Sequence, residues 1–293
     1  MSSEHDQLEA EIAFLRWNDI YNIEKPFQIF INLPSDAEDK RSTNLMWEKR
    51  SKLVRDLRNL KPFNIDESGF TFLRQPSRLT DFTNKENIIT TYLPEVEQII
   101  RAQIKGVERL FIFDWRLRRS DPVKEDAVVD LNNSMNWLLP AEHAHVDQSP
   151  VAVLNRIRLQ FPDEAETLLQ GRVRIINVWR PLEKVRDWPL ALCDGRTVDH
   201  SDLVECDHIR RRYIGSTMYL LESPRHRWYY LSNQTPDEVI IFKNFDSSED
   251  VEAHYSPHAA FKQRIENIEV GGRSSIEVRA LVFGPQGDQT KSL

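Results

Sequence analysis

The chain has 293 residues, 40% of them hydrophobic, and a formal net charge of −7. That length supports a sizeable core in one large domain or two small ones, and the acidic balance excludes the broad basic face that nucleic acid requires. Only nine residues are glycine, well under the usual share of roughly 7 per cent, which disfavours glycine-rich phosphate loops.

The opening MSSEHDQLEAE is acidic and lacks the charged-then-apolar layout of a signal peptide. No run of about 18 apolar residues occurs, so no membrane contact is expected and the expected location is the cytoplasm. Two cysteines, Cys193 and Cys206, make neither a disulfide framework nor a cysteine-only zinc site, and both are expected as free thiols. The first hundred residues read as short mixed elements, with a polar loop at Pro34–Asn44 and alternating apolar character at Gly69–Leu73. A helix follows: Pro94 stands at its start, Val96, Ile99, Ile100 and Ile104 form one stripe, and Gly106 ends it. Leu110–Trp115 reads as a buried strand.

After Asp147 the pattern changes. Pro150 opens one helix, and Pro162 opens a second that stops at Gly171. From there the chain reads as strand after strand: Arg172–Trp179, Pro189–Asp194, Ser216–Ser223, Arg227–Ser232, Glu238–Phe245 and Ser274–Phe283, rich in β-branched and aromatic residues and separated by turn signals. Many short strands with few helices between them predict a mainly β chain with flanking helices, built as an antiparallel two-sheet barrel or jelly roll. We expect a single domain over 1–293, with a mixed N-terminal elaboration over 1–104, a strand-rich core over 105–284 and a loose tail over 285–293.

The chemistry concentrates in AEHAHVDQSP, Ala141–Pro150. His143, His145 and Asp147 alternate, so on a strand all three would leave one face. Two imidazoles and a carboxylate at that spacing suit a divalent metal, although a surface strand followed by a helix-capping aspartate would read the same way. Three metal sites compete. A zinc hydrolase of HxHxDH type requires a histidine where Gln148 stands, and an amidohydrolase barrel requires alternating helices and strands that the later chain lacks. The third is a facial triad, HxD plus one distant histidine, which leaves three positions open on a non-haem iron.

That triad demands a later histidine followed by an arginine able to fork onto the far carboxylate of 2-oxoglutarate. Among His200, His208, His226, His254 and His258, only His258, and less well His254, is followed at short range by a strand carrying arginines. Arg273 and Ser275 form R-x-S there, and Arg279 shares their face by parity. His226, in PRHRWYY, is the rival ligand but reads as a structural or substrate-side histidine. His143 is expected beside the metal rather than on it. Asn177 and Trp179, two apart on one strand, are candidates for the pocket near iron, with core packing the alternative for Trp179. Arg116, Arg118 and Arg119 suit either an acidic substrate or a solvated turn.

The runs IINVWRPLEKVRDWPLALCD and HRWYYLSNQTPDEVIIFKNFDS, then HAAF and SIEVRALVF, resemble the fungal and bacterial hydroxylase/desaturase family. EKPF at Glu24–Phe27, TNL at Thr43–Leu45, DLR at Asp56–Arg58, GFTFL at Gly69–Leu73 and YLPE at Tyr92–Glu95 agree with it. The resemblance implies a double-stranded β-helix (jelly-roll) oxygenase that uses Fe(II), 2-oxoglutarate and O2 to hydroxylate, desaturate or cyclise a small-molecule substrate of secondary metabolism. It implies His145, Asp147 and His258 as metal ligands, with Arg273 or Arg279 on the cosubstrate. A catalytically degenerate jelly-roll partner protein is the alternative, and the oligomeric state stays open.

Overall fold

The computed structural model describes residues 7–121, 133–210, 213–263 and 273–286. Its strands, numbered in chain order, form two sheets. One runs β1 (Gln7–Leu15), β3 (Trp47–Asp56), β11 (Trp228–Tyr230), β8 (Leu190–Cys193), β13 (His258–Ala260), β6 (His145–Val146), β10 (Tyr213–Leu220), β9 (Leu203–Arg210) and β2 (Phe27–Ile29) in spatial order. The other runs β4 (Phe70–Arg74), β12 (Glu238–Asp246), β7 (Gly171–Pro181), β14 (Ser274–Gln286) and β5 (Arg109–Arg119). Together they make the jelly-roll core expected from the strand-rich second half.

Strands β7 and β14 carry apolar residues at both parities because both of their faces are covered. On the outer face Ile176, Val178, Ile276 and Val278 meet Val96, Ile99 and Ile100 of the helix Leu93–Gln103. Val173 and Ile175 pack on Val153 and Ile157 of the helix Pro150–Gln160. Between the sheets Trp179 joins Ile240, Phe242, Leu190 and Leu192. Each such buried aliphatic contributes on the order of 1.5–3 kcal/mol. On the inner face of β14 the pattern turns polar: Ser275 and Glu277 are buried there beside the Arg273 that precedes the strand. This is the position of the site.

Several elements differ from expectation. The strand at Leu110–Trp115 extends to Arg109–Arg119. The helix expected between Pro162 and Gly171 shrinks to Ala165–Leu168, whose start no side chain caps. β14 runs through Pro285 to Gln286, pairing with Gly171, so two residues of the expected tail are strand; the rest of the tail lies outside the described residues. The N-terminal stretch contributes β1 and β3, paired from Gln7↔Arg55 to Leu15↔Trp47.

The segment entering β13 is anchored by a buried ion cluster. Lys243, fully buried, donates to Asp246 at 2.5 Å, Asp66 at 3.0 Å and the Ala253 carbonyl at 3.0 Å. Arg172 joins at 2.6 Å from Asp246 and 2.7 Å from Asp66. Gly69 (φ 86°) and Gly195 both lie against the Tyr255 carbonyl, where a Cβ would approach to 2.8 and 2.2 Å. Burial raises the Asp246 carboxyl, but the Arg172 hydrogen bond and the Lys243 charge outweigh it and hold the group below its usual value. Its stabilisation is therefore present above pH about 4 and lost as pH falls through the lowered native value. Lys243→Met, which strands Asp246 with Arg172 alone, is expected to cost about 3 kcal/mol in chemical denaturation at pH 7. The gap between the two proteins should narrow in acid.

Candidate active site

Two histidines far apart in sequence become cross-strand neighbours because β6 pairs with β13, His258 opposite His145. Their ring centroids lie 4.4 Å apart. Asp147, just past β6, is pinned by its backbone N–H, which donates to Asn244 Oδ1 at 2.8 Å. One donor atom from each of His145, Asp147 and His258 falls within 4.8 Å of the others. The backbone sets the tautomers: His145 Nδ1 meets the His143 carbonyl at 2.7 Å and His258 Nδ1 the Ser256 carbonyl at 3.2 Å. With Nδ1 the donor, both Nε2 lone pairs are free for a metal. His258 Nε2 is buried with no partner. Burial, followed by the nearby His145, pushes His258 down to about 3, so its ring is neutral at pH 7. Two neutral imidazole nitrogens and one carboxylate fit an iron(II) centre.

Asp147 is held by a chain of charges. Arg279 forks onto it, Nη2 to Oδ1 at 2.9 Å and Nε to Oδ2 at 3.0 Å. Asn177 donates to Asp147 Oδ2 at 2.6 Å and to Glu277 Oε1 at 2.7 Å. Arg279 also reaches Glu277 at 2.9 Å and Asp114 at 3.0 Å, and Asp114 in turn meets Arg116 at 3.2 Å. Burial opposes the charge on Asp147, but Arg279 overrides it and keeps the carboxyl well below its usual value. Burial likewise opposes the Arg279 cation, and its three carboxylate neighbours raise it above the ordinary arginine value.

Arg273 is employed differently. It is buried, donates to the Trp188 carbonyl at 2.8 Å and to Ser275 Oγ at 3.1 Å, and lies over the Trp179 ring at 5.1 Å. Its Nε has no partner, and no carboxylate pairs with it among the described residues. Burial, reinforced by Arg118, pushes it down to about 9. Trp188, whose carbonyl it meets, has a left-handed backbone (φ 53°), a costly conformation for a bulky side chain.

The other histidines are spoken for. His143 stacks on Trp47, centroids 3.7 Å apart, outside the triad; the strand is only two residues long, so the alternation does not carry back to it. His226 Nε2 meets Asp202 at 3.0 Å and His254 Nδ1 the Asp246 carbonyl at 3.1 Å. His208 Nε2 meets the Tyr219 hydroxyl at 3.2 Å.

A protein-family model described as "Oxidoreductase/YMDC permease-like domain" matches residues 13–283. The Fe(II)/2-oxoglutarate-dependent dioxygenase nvfI of Aspergillus novofumigatus is 43% identical over 252 residues, covering 82% of this chain and 86% of that protein. The hydroxylase/desaturase efuI of Hormonema carpetanum is 32% identical over 263 residues, covering 83% and 86%. Among solved structures, the iron and alpha-ketoglutarate-dependent endoperoxidase NvfI superimposes with a TM-score of 0.81 at 28% identity, covering 96% of this chain and 99% of that one. The chain belongs to this oxidoreductase family, the hydroxylase/desaturase-type Fe(II)/2-oxoglutarate-dependent dioxygenases. Among its described residues no helix is long and apolar enough to cross a membrane.

In this oxygenase a cavity of about 330 Å³ opens onto His145 and Asp147 of the triad. Its wall includes His208, Tyr219, Arg116, Arg118 and Arg210. Sequence reasoning missed Glu277, Asp114 and Asn244. The available signal was a glutamate and an asparagine at inward positions of strands that are otherwise apolar. Arg279→Met removes the fork from Asp147 and is expected to weaken iron(II) affinity about 10- to 100-fold, the range for residues that orient a ligand. His143→Ala should retain full iron stoichiometry. Anaerobic metal titration with calorimetric readout checks both.

Proposed function

We propose that His145, Asp147 and His258 hold the iron of this dioxygenase and that Arg273, with Ser275, takes the distal carboxylate of 2-oxoglutarate. The observation that carries the metal assignment is the convergence of three donors around the buried, partnerless His258 Nε2. The cosubstrate assignment is supported by a buried guanidinium that lacks the counter-charge it needs, and by the employment of Arg279 elsewhere. Loaded with iron(II), 2-oxoglutarate and dioxygen, such a site supplies the oxidising power for a C–H bond. The chain's own contribution is positional. Asn177 and Arg279 fix the orientation of the Asp147 carboxylate, the two backbone carbonyls fix the imidazole rings, and the apolar packing around Trp179 and Phe242 excludes water.

The substrate is a small organic intermediate of secondary metabolism, and the reaction is hydroxylation, desaturation or oxidative ring closure. The named activities of the relatives, hydroxylase/desaturase and endoperoxidase, span that range. We read the chain as one oxygenase domain located in the cytoplasm, in keeping with two buried free cysteines.

His145→Ala, Asp147→Ala and His258→Ala should each lose iron and 2-oxoglutarate-dependent succinate release, with the far-ultraviolet circular dichroism retained. Iron and turnover persisting in His258→Ala while lost in His226→Ala would move the distal ligand. Arg273→Met should raise the 2-oxoglutarate concentration needed for half-saturation roughly 30-fold or more, the loss of one buried charge pair. The anaerobic visible charge-transfer band of the iron(II)–2-oxoglutarate complex measures it. An unchanged midpoint would place the clamp elsewhere.

A further inference from the structure

Two arginines of the cavity wall, Arg118 and Arg210, are not used by the site just described. Arg279 and Arg116 have carboxylate partners in Asp147, Glu277 and Asp114. Arg118 and Arg210 have none among the described residues. Among the described residues Arg118 donates to the Leu139 carbonyl, at 2.8 Å, and Arg210 lies over the Phe30 ring at 5.5 Å. Both line the cavity that opens onto the triad. Both guanidinium groups are disfavoured first by burial; Glu277 acts on Arg118 and Asp114 on Arg210 as opposite charges without an ion pair among the described residues, and each arginine also feels Arg116 as a like charge. Leaving two such cations half-desolvated without an anion is costly.

Formal charges sharpen the point. Summed over the site, Asp114, Asp147, Glu277 and the 2-oxoglutarate dianion balance Arg116, Arg279, Arg273 and bound iron(II). Arg118 and Arg210 remain uncompensated in the organic substrate's own space, inside a chain whose overall charge is −7. Two further wall residues stay neutral: burial pushes His208 down to about 4, and burial raises the Tyr219 hydroxyl.

We propose that Arg118 and Arg210 bind a carboxylate of the organic substrate, so that the enzyme acts on a small carboxylic acid whose oxidisable carbon is held over the triad by that anchor. This rests on the oxygenase reading for what happens to the carbon, whereas the anion site itself does not require it. At about 330 Å³ the cavity lies near the small end of ligand pockets, which run roughly 300–1,000 Å³. That suits a compact acid rather than a long chain.

The test uses the whole chain loaded with iron(II) and 2-oxoglutarate under argon, with 2-naphthoate and its methyl ester as probes. Calorimetry should find the acid bound about tenfold or more tighter than the ester, the worth of one charge-assisted contact. Arg118→Gln and Arg210→Gln should each abolish that preference, while the 2-oxoglutarate midpoint read from the charge-transfer band holds. Arg210→Gln carries the test if Arg118→Gln fails to fold. Equal binding of acid and ester by the unmodified protein would overturn the proposal while leaving the oxygenase assignment intact. It would also fall if naphthoate erased the band, or if the variants weakened 2-oxoglutarate as much as naphthoate, since the arginines would then serve the cosubstrate. Conversely, an acid preference in a protein that never forms the band would uphold the anion site and sink the cosubstrate reading.

Discussion

The Asp147 carboxylate is the constraint on which the interior turns. A buried anion is tolerable only with a cation in contact, and that cation, Arg279, is itself buried and needs anions of its own. The solution is distributed over strands: Arg279 on β14 lies directly across from Asp114 on β5 and from Asn177 on β7. Asp147 itself follows β6 in the other sheet. The register of three neighbouring strands therefore has to be correct before the metal ligand is correctly aimed. The β14–β5 pairing shifts immediately after Arg279, so the irregularity falls beside the residue that grips the ligand, as bulges near active sites commonly do.

Two arginines six positions apart on one face thus have opposite situations. Arg279 is saturated by three carboxylates and serves to orient. Arg273 is held by a backbone carbonyl, a hydroxyl and an indole face, none of which is charged. A guanidinium that has been positioned but not neutralised is prepared for an anionic ligand, and the left-handed backbone at Trp188 is part of the same preparation.

The strands of the second half and the triad were legible because their signals are local or short in range. β7, β12 and β14 each carry a dense run of β-branched and aromatic residues, and HxD followed much later by a histidine and R-x-S is a compact pattern. What could not be read depends on register. Parity put Arg273 and Arg279 on one face, but only the pairing of β14 with β5 shows that Asp114 meets the second and not the first. β3 was invisible for another reason: WEKRSKLVRD carries charges on both of its faces, which leaves little apolar alternation besides Val54. β9 was missed because its residues toward the cavity, His208 and Arg210, are polar for the sake of the cavity. An inward polar residue breaks the alternation on which strand reading relies, so strands that carry a site are the least legible.

The charge balance also orders the events of assembly. Without metal and cosubstrate, the triad region carries the Asp147 anion already paired, and the Arg273 cation unpaired. If Arg273 takes the cosubstrate as proposed, iron(II) arriving alone would leave that cation unanswered, and 2-oxoglutarate arriving alone would bring its chelating end to the Asp147 carboxylate without the metal between them. Each is therefore disfavoured by itself and favoured by the other, because the dianion answers both the metal and Arg273 while the metal screens Asp147 from the dianion. In a low-dielectric interior such complementarity acts strongly. It makes the pair, rather than either component, the state in which the triad and Arg273 are electrostatically complete.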